Sequence, residues 1–171
     1  VNFADSTFRY NNVDFDRWLN EKGYSVNGGT GSVKDYYRDN SMEQFVPNFK
    51  VVGPYTLSHP TKYYGENTSD ASAVIASASD ARPREMVKEA CLLAKADHPE
   101  LDFSQFDNSG NGTMDNCYVI YAGYSEASTA NDDDIWPHSW NMGDEKFQID
   151  GITINEYSCS AELVGMSGSP A

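Results

Sequence analysis

Apolar positions along the chain recur with two periods, and each period predicts its own kind of element. Phe15, Trp18 and Leu19 stand at i, i+3 and i+4, which predicts a short helix capped by Asp14 and ended by Gly23. Val33, Tyr36 and Tyr37 continue that spacing behind Ser32-Val33-Lys34-Asp35, which resembles a capping box, so a second helix is predicted there. The longest helix is predicted over roughly 81–97, with Asp80 as its cap and Pro83 in the first turn, where a missing N–H costs little. Its face of Met86, Val87, Ala90, Cys91, Leu93 and Ala94 is broad enough to lie on a sheet.

Strand signals fill the remaining apolar runs. Cys117 to Tyr124 is nearly continuous, which predicts a strand buried on both faces. Phe147-Gln148-Ile149 and Ile152-Thr153-Ile154 flank Asp150-Gly151, a strong hairpin signal. Val1-Asn2-Phe3-Ala4-Asp5 reads as the tail of a buried strand, and 48–57 as a strand that Pro54 demotes to an edge or exit. The Ser-, Ala- and Asn-rich stretch 66–80 reads as a surface loop, and 165–171 as a small, flexible tail. The class that results is mixed α/β, a sheet with a long backing helix. No internal repeat is evident.

At 171 residues the chain is one domain or a large piece of one. Trp18, Trp136 and Trp140 are of the kind that disordered chains lack. With 12 basic against 26 acidic residues, the net charge of -14 argues against nucleic acid, whose phosphates are bound by clustered Lys and Arg. Carboxylates in such excess keep a protein soluble and can also serve hard cations such as calcium. Neither a signal peptide nor a transmembrane run is visible, so a soluble or processed chain is expected. Cys91, Cys117 and Cys159 form no CxxC pair, and the first two are expected to act as small core hydrophobes.

The sharpest local motif runs from Asp107 to Asp115. Asp107, Ser109, Asn111 and Asp115 place oxygens at positions one, three, five and nine, Gly112 stands at six, and the Thr113 carbonyl falls at seven. That is the opening of a calcium-type loop, in which a tight turn aims alternate groups at one centre. Position twelve is Tyr118 rather than a bidentate Glu, which excludes a full EF-hand, and an Asx-rich turn without an ion is the competing reading. Asn131-Asp132-Asp133-Asp134 reads as a solvated acidic loop before it reads as a second cation site. Of His59, His98 and His138, none belongs to a His-Glu-x-x-His helix. His138, within Trp136-Pro137-His138-Ser139-Trp140, reads as a packed, hydrogen-bonded histidine, with a substrate-cleft wall as the competing role. Nucleophile signals are poor: there is no Gly-x-Ser-x-Gly elbow, and Cys159 has no evident basic partner. Gly28-Gly29-Thr30-Gly31-Ser32 lacks the lysine of a phosphate-binding loop and reads as a flexible loop.

Taken in order, several stretches resemble the immune inhibitor A family of secreted zinc metallopeptidases. They are Val1 to Asp5, Gly31-Ser32-Val33-Lys34-Asp35-Tyr36-Tyr37, Val51-Val52-Gly53-Pro54-Tyr55-Thr56-Leu57 and Tyr63-Tyr64-Gly65. Asp107 to Asp115, Tyr118-Val119-Ile120-Tyr121-Ala122-Gly123, Ile135-Trp136-Pro137-His138 and Tyr157-Ser158-Cys159-Ser160-Ala161-Glu162-Leu163 complete the set. The resemblance implies a zincin-like twisted sheet in which 81–97 is the backing helix and 117–124 a central strand. It implies that residues 1–171 form the N-terminal portion of a single metallopeptidase catalytic domain, secreted or extracellular, acting on a protein or peptide substrate. It also implies two metals: calcium at Asp107, Ser109, Asn111, Thr113 and Asp115, and zinc whose ligands lie outside this chain. In the family a zinc-activated water attacks the peptide carbonyl while the Glu of His-Glu-x-x-His takes the proton. That motif is absent from these residues, so no catalytic residue is assigned and the chain is expected to be inactive without the remaining C-terminal part of the same peptidase. The alternative is a non-catalytic, calcium-stabilised extracellular binding or scaffold module derived from such a peptidase.

Overall fold

Residues Arg9–Pro54 and the remainder, Val1–Phe8 with Tyr55–Ala171, form two units in the computed structural model, which describes residues 1–68, 79–165 and 169–170. Arg9–Pro54 holds two short helices, α1 (Asn12–Asn20) and α2 (Val33–Asn40). The cap of α1 is Asn11, whose side chain accepts the Val13 and Asp14 N–H groups. Asp14, expected as the cap, is the third helical residue and returns a bond to the Asn11 N–H, completing a capping box. The helix stops at Asn20, and Gly23 serves the turn beyond it at φ +72. The box predicted at Ser32 and Asp35 is present. Asp35 is buried, and N–H groups of Ser32 and Gly23 hold its carboxyl below the ordinary carboxylate range. The strand expected over 48–57 does not form; of its residues only Thr56 makes a bridge, to Asn2. Pro47 and Pro54 lack N–H groups, and the Asn20 amide takes both backbone groups of Phe49, at 3.0 and 2.9 Å, in place of a neighbouring strand.

The second unit opens with α3 (Thr61–Gly65), followed by a two-stranded ribbon of β1 (Asn67–Thr68) and β2 (Ser79–Asp80). The loop expected over 66–80 therefore contains paired backbone at both ends, while residues 69–78 lie outside the described residues. Next is α4 (Pro83–Asp97), with Pro83 in its first turn and Met86, Val87, Ala90, Cys91 and Ala94 buried as predicted. Its cap position is Arg82, which makes no side-chain cap bond. Asp80, expected to cap it, instead accepts the Trp136 N–H.

The main sheet contains β3 (Cys117–Tyr124), β4 (His138–Asn141) and β7 (Glu156–Val164) in the order β3-β7-β4. Strand β7 runs parallel to β3 and antiparallel to β4. On the far side of β3, the Ala122 N–H donates to the Val1 carbonyl, so the strand-like opening segment extends the sheet. Its Phe3 packs against Tyr64 and Tyr121 with ring centroids 5.7 and 6.4 Å away. Burial on both faces of β3 holds for Val119, Tyr121 and Ala122 but not for Tyr118, which is 57% exposed. Tyr118 escapes because the face it occupies is hydroxyl-rich, and its own O–H donates to Ser160. Between β4 and β7 sits the predicted hairpin, β5 (Phe147–Ile149) and β6 (Ile152–Ile154), turned by Asp150 at φ 52 and Gly151 at φ 79. The tail expected to be flexible includes β8 (Ser169–Pro170), paired with Leu163 and Val164; 166–168 and 171 lie outside the described residues.

One close approach in this unit requires a glycine. A Cβ on Gly65 would stand 2.7 Å from the Asp134 carbonyl carbon and 2.9 Å from the Asp133 and Asp134 oxygens, all of them backbone atoms. Gly65→Ala is therefore expected to destabilise this unit by about 1–3 kcal/mol, the usual cost of overpacking. Urea unfolding of the variant beside the parent checks this, and an unchanged midpoint refutes it.

Candidate functional site

Pairing along β7 sorts side chains onto two faces of the sheet, because successive residues of a strand point opposite ways. The register sets Cys117 opposite Tyr157, Val119 opposite Cys159, Tyr121 opposite Ala161, and His138 opposite Cys159. These residues share the buried face. Ser139, Ser158, Ser160 and Tyr118 share the other, where Ser158 donates to the Ser139 hydroxyl at 3.1 Å. Strand β4 ends the sheet: one edge pairs with β7, and along its other edge no strand pairs among the described residues. Trp140, near the middle of β4, is 60% exposed.

Beneath β4 lies a cluster of titratable groups that are far apart in sequence. His138 Nδ1 is 2.7 Å from the Trp136 carbonyl, which assigns the proton to Nδ1, and Nε2 accepts the Tyr157 O–H at 2.9 Å. Burial raises the Tyr157 pKa, so the phenol stays a donor. Asp80 is 3.7 Å from His138 Nδ1 and its side chain is 3% exposed. Cys159 Sγ is 3.5 Å from the same nitrogen. Cysteine, histidine and aspartate in one cluster resemble a nucleophilic triad, but the chemistry does not follow. Burial pushes the Cys159 thiol up to about 12, and the imidazole nitrogen nearest to it is already a donor to a carbonyl. The cluster is a polar anchor for β4. It bears out the packed, hydrogen-bonded reading of His138.

The Asp107 loop is a closed turn at the foot of β3. Asp107 accepts the Ser109 hydroxyl and the Asn111 and Gly112 N–H groups, the last at 2.7 Å. Burial pushes its pKa up, but these bonds outweigh it and hold the carboxyl below the ordinary range. Asn111 Oδ1 accepts the Thr113 N–H, and Asp115 Oδ2 accepts the Asn108 amide at 2.5 Å. Thr113 bridges to Thr153 through the Gly112 carbonyl and Met114 N–H, which turns its own carbonyl to the opposite side. The five predicted residues thus share one turn, in which the side-chain oxygens of Asp107, Asn111 and Asp115 are acceptors.

The other candidates are separate. His59 stacks on Tyr63 at 3.9 Å, and His98 pairs with Asp97 and Glu100 at 3.4 and 3.2 Å. Asp133 pairs with Lys62 at 3.1 Å, and Asp134 accepts the Thr129 hydroxyl at 2.6 Å. Among the described residues, no three His, Cys, Asp or Glu side chains gather as a metal site would require. The histidines are too dispersed to fit a catalytic zinc.

The family described as immune inhibitor A peptidase M6, catalytic domain, matches residues 6–165. Immune inhibitor A of Bacillus thuringiensis subsp. alesti is 26% identical over 185 residues, covering 88% of this chain and 26% of the relative. Pre-pro-metalloprotease PrtV of Vibrio cholerae serotype O1 is 27% identical over 145 residues, covering 75% of this chain and 15% of the relative. The chain thus spans about a quarter of the length of the first relative and about a seventh of the second.

Asp80 generates a pH prediction. Desolvation raises its pKa from 3.8 to about 7, the Trp136 N–H opposes that, and the charge of Glu126 adds to it. The folded state therefore holds this proton more tightly than the unfolded chain. The stability it contributes is full below the unfolded pKa and is lost as pH rises through about 7. Asp80→Asn keeps an oxygen for the Trp136 N–H without a charge. The variant is expected to flatten the decline between pH 4 and 7 and to raise the melting temperature at pH 8 by about 3 °C. Thermal melts across that range check it; parallel curves for variant and parent count against it.

Proposed function

Because the chain belongs to the immune inhibitor A peptidase M6 family, we propose that it is the N-terminal portion of the single catalytic domain of a secreted, zinc-dependent metalloendopeptidase acting on proteins or peptides. The match across residues 6–165 carries this reading. The mixed sheet backed by α4 supports its zincin-like form. Among the described residues no donor set for zinc gathers, and in this reading the zinc ligands lie in polypeptide outside this chain, which alone is inactive. What it supplies is the frame. Strand β4, anchored by His138, Tyr157 and Asp80, offers an edge to which an extended peptide can add by backbone hydrogen bonds, and Trp140 lies beside it.

The second metal in this reading is calcium. The Asp107 loop fits it in class, since hard cations take oxygen, and Asp107, Ser109, Asn111, Thr113 and Asp115 each carry an oxygen able to ligate. Positive φ at Gly110 and Gly112, +69 and +80, lets the turn close. Position twelve falls on Tyr118, in β3, whose O–H is bonded to Ser160, so no bidentate carboxylate comes from there.

The longer protein that contains this chain is expected to cleave casein, to lose that activity to a chelator, and to show about a tenfold higher KM for a peptide after Trp140→Ala. The chain alone should show no cleavage with or without added zinc. Chelator-sensitive cleavage by the chain alone, or inactivity of the longer protein with zinc bound, refutes the reading. Saturating calcium is expected to raise the melting temperature by about 5 °C, an increase that Asp107→Ala abolishes. An unchanged melt in the parent rejects the calcium site.

A further inference from the structure

Cys91 lies in the buried face of α4 and Cys117 opens β3, and their sulfurs stand 3.6 Å apart. Sequence alone treats each as a small hydrophobe; the fold makes them neighbours across 26 residues of chain. Both are thiols in this structure. A disulfide needs the sulfurs about 1.5 Å closer than they stand here. We propose that Cys91 and Cys117 are a disulfide-forming pair that fastens α4 to the first residue of β3. The inference does not depend on the peptidase reading.

The environment orders the reaction. The two thiols share a hydrogen bond that raises the Cys91 pKa, with burial adding to it, and lowers that of Cys117 against its burial. Cys117 is half-buried, whereas Cys91 is 5% exposed. Cys117, the more accessible of the two residues, makes the first attack. Its thiolate attacks one sulfur of a small-molecule disulfide, the S–S bond of that reagent breaks, and one thiolate leaves. Cys91 then gives up its proton and attacks Cys117 Sγ, expelling the second thiolate. Two protein thiols are oxidised to one disulfide, and one reagent disulfide is reduced to two thiols. Cys159 takes no part: it is 3% exposed, and it lies against His138. The bond closes a loop containing Asp107 to Asp115, so oxidation restrains that turn.

Trypsin separates the three cysteines, since it cuts after Lys88, Lys95 and Lys146. The full chain is treated with oxidised glutathione, its free thiols are alkylated under denaturing conditions, and its peptides are weighed with and without reductant. The expected result is peptide 89–95 joined to 96–146 with the loss of two hydrogens, and an alkylated Cys159. Alkylation of both Cys91 and Cys117 in the oxidised sample, or a link from either to Cys159, overturns the proposal. The oxidised chain should melt about 5–10 °C above the reduced one. Cys159→Ser should retain that difference, and Cys117→Ser should abolish it. Equal melting of oxidised and reduced parent contradicts the fastening role.

Discussion

Strand β7 exchanges backbone hydrogen bonds along both its edges, parallel with β3 and antiparallel with β4, and the placement of the other groups follows from that. A strand paired on both sides cannot slip by one residue without turning its whole buried row outward. Tyr157, Cys159, Ala161 and Leu163 are all nearly inaccessible, so the register is fixed by burial as well as by bonding. It is this register that sets Cys159 opposite both Val119 and His138, and it leaves β4 on the rim with its second edge unpaired among the described residues.

The same alternation explains how an acidic, polar sequence builds a core here. Ser158 and Ser160 interrupt the β7 pattern at the positions that face away from the buried row, where Ser139 and Tyr118 meet them with hydroxyls. Each hydroxyl both donates and accepts, so a half-exposed polar face can satisfy itself at little cost. An apolar substitution would leave a partner hydroxyl without its bond. One face of the sheet is buried, and the other is hydroxyl-lined around Ser139, Ser158 and Ser160 but buried at Ala122 and Glu162, which matches the mixed pattern of the strand.

What was legible in the sequence was local. The Asp150-Gly151 hairpin and the Ser32 capping box each depend on residues within a few positions, and both formed as predicted. The apolar face of α4 was likewise readable, because helical period alone defines it. Errors arose where a distant partner competed with a local one. Asp80 sits where a helix cap belongs, yet the Trp136 N–H, 56 residues away, claims its carboxylate. The strand expected at 48–57 lost Phe49 to the side chain of Asn20. Nothing near Cys91 or Cys117 in sequence announces the other, since their meeting depends on how α4 lies on β3. The cluster under β4 was hidden for the same reason: only the packed sheet brings Asp80, His138, Tyr157 and Cys159 together.

A catalytic metal needs lone pairs that the fold has left free, and His138 and His98 have theirs in use. His138 spends one ring nitrogen on a carbonyl and the other on a phenol, so releasing either would unfasten β4 from the strand behind it. His98 is occupied by two neighbouring carboxylates. His59 stands stacked on Tyr63, and among the described residues it gathers with no other metal-ligating side chains as a metal site would require. Oxygen donors present the opposite case. Asp107 accepts three bonds from its own turn and is also lowered in pKa by the Gly110 N–H, so its carboxylate is the hub on which the turn closes. Imidazoles are consumed by structure here, whereas carboxylates are arranged by it. The oxygens of the Asp107 turn are thus gathered by the fold itself, whereas among the described residues no two histidines are brought together in that way.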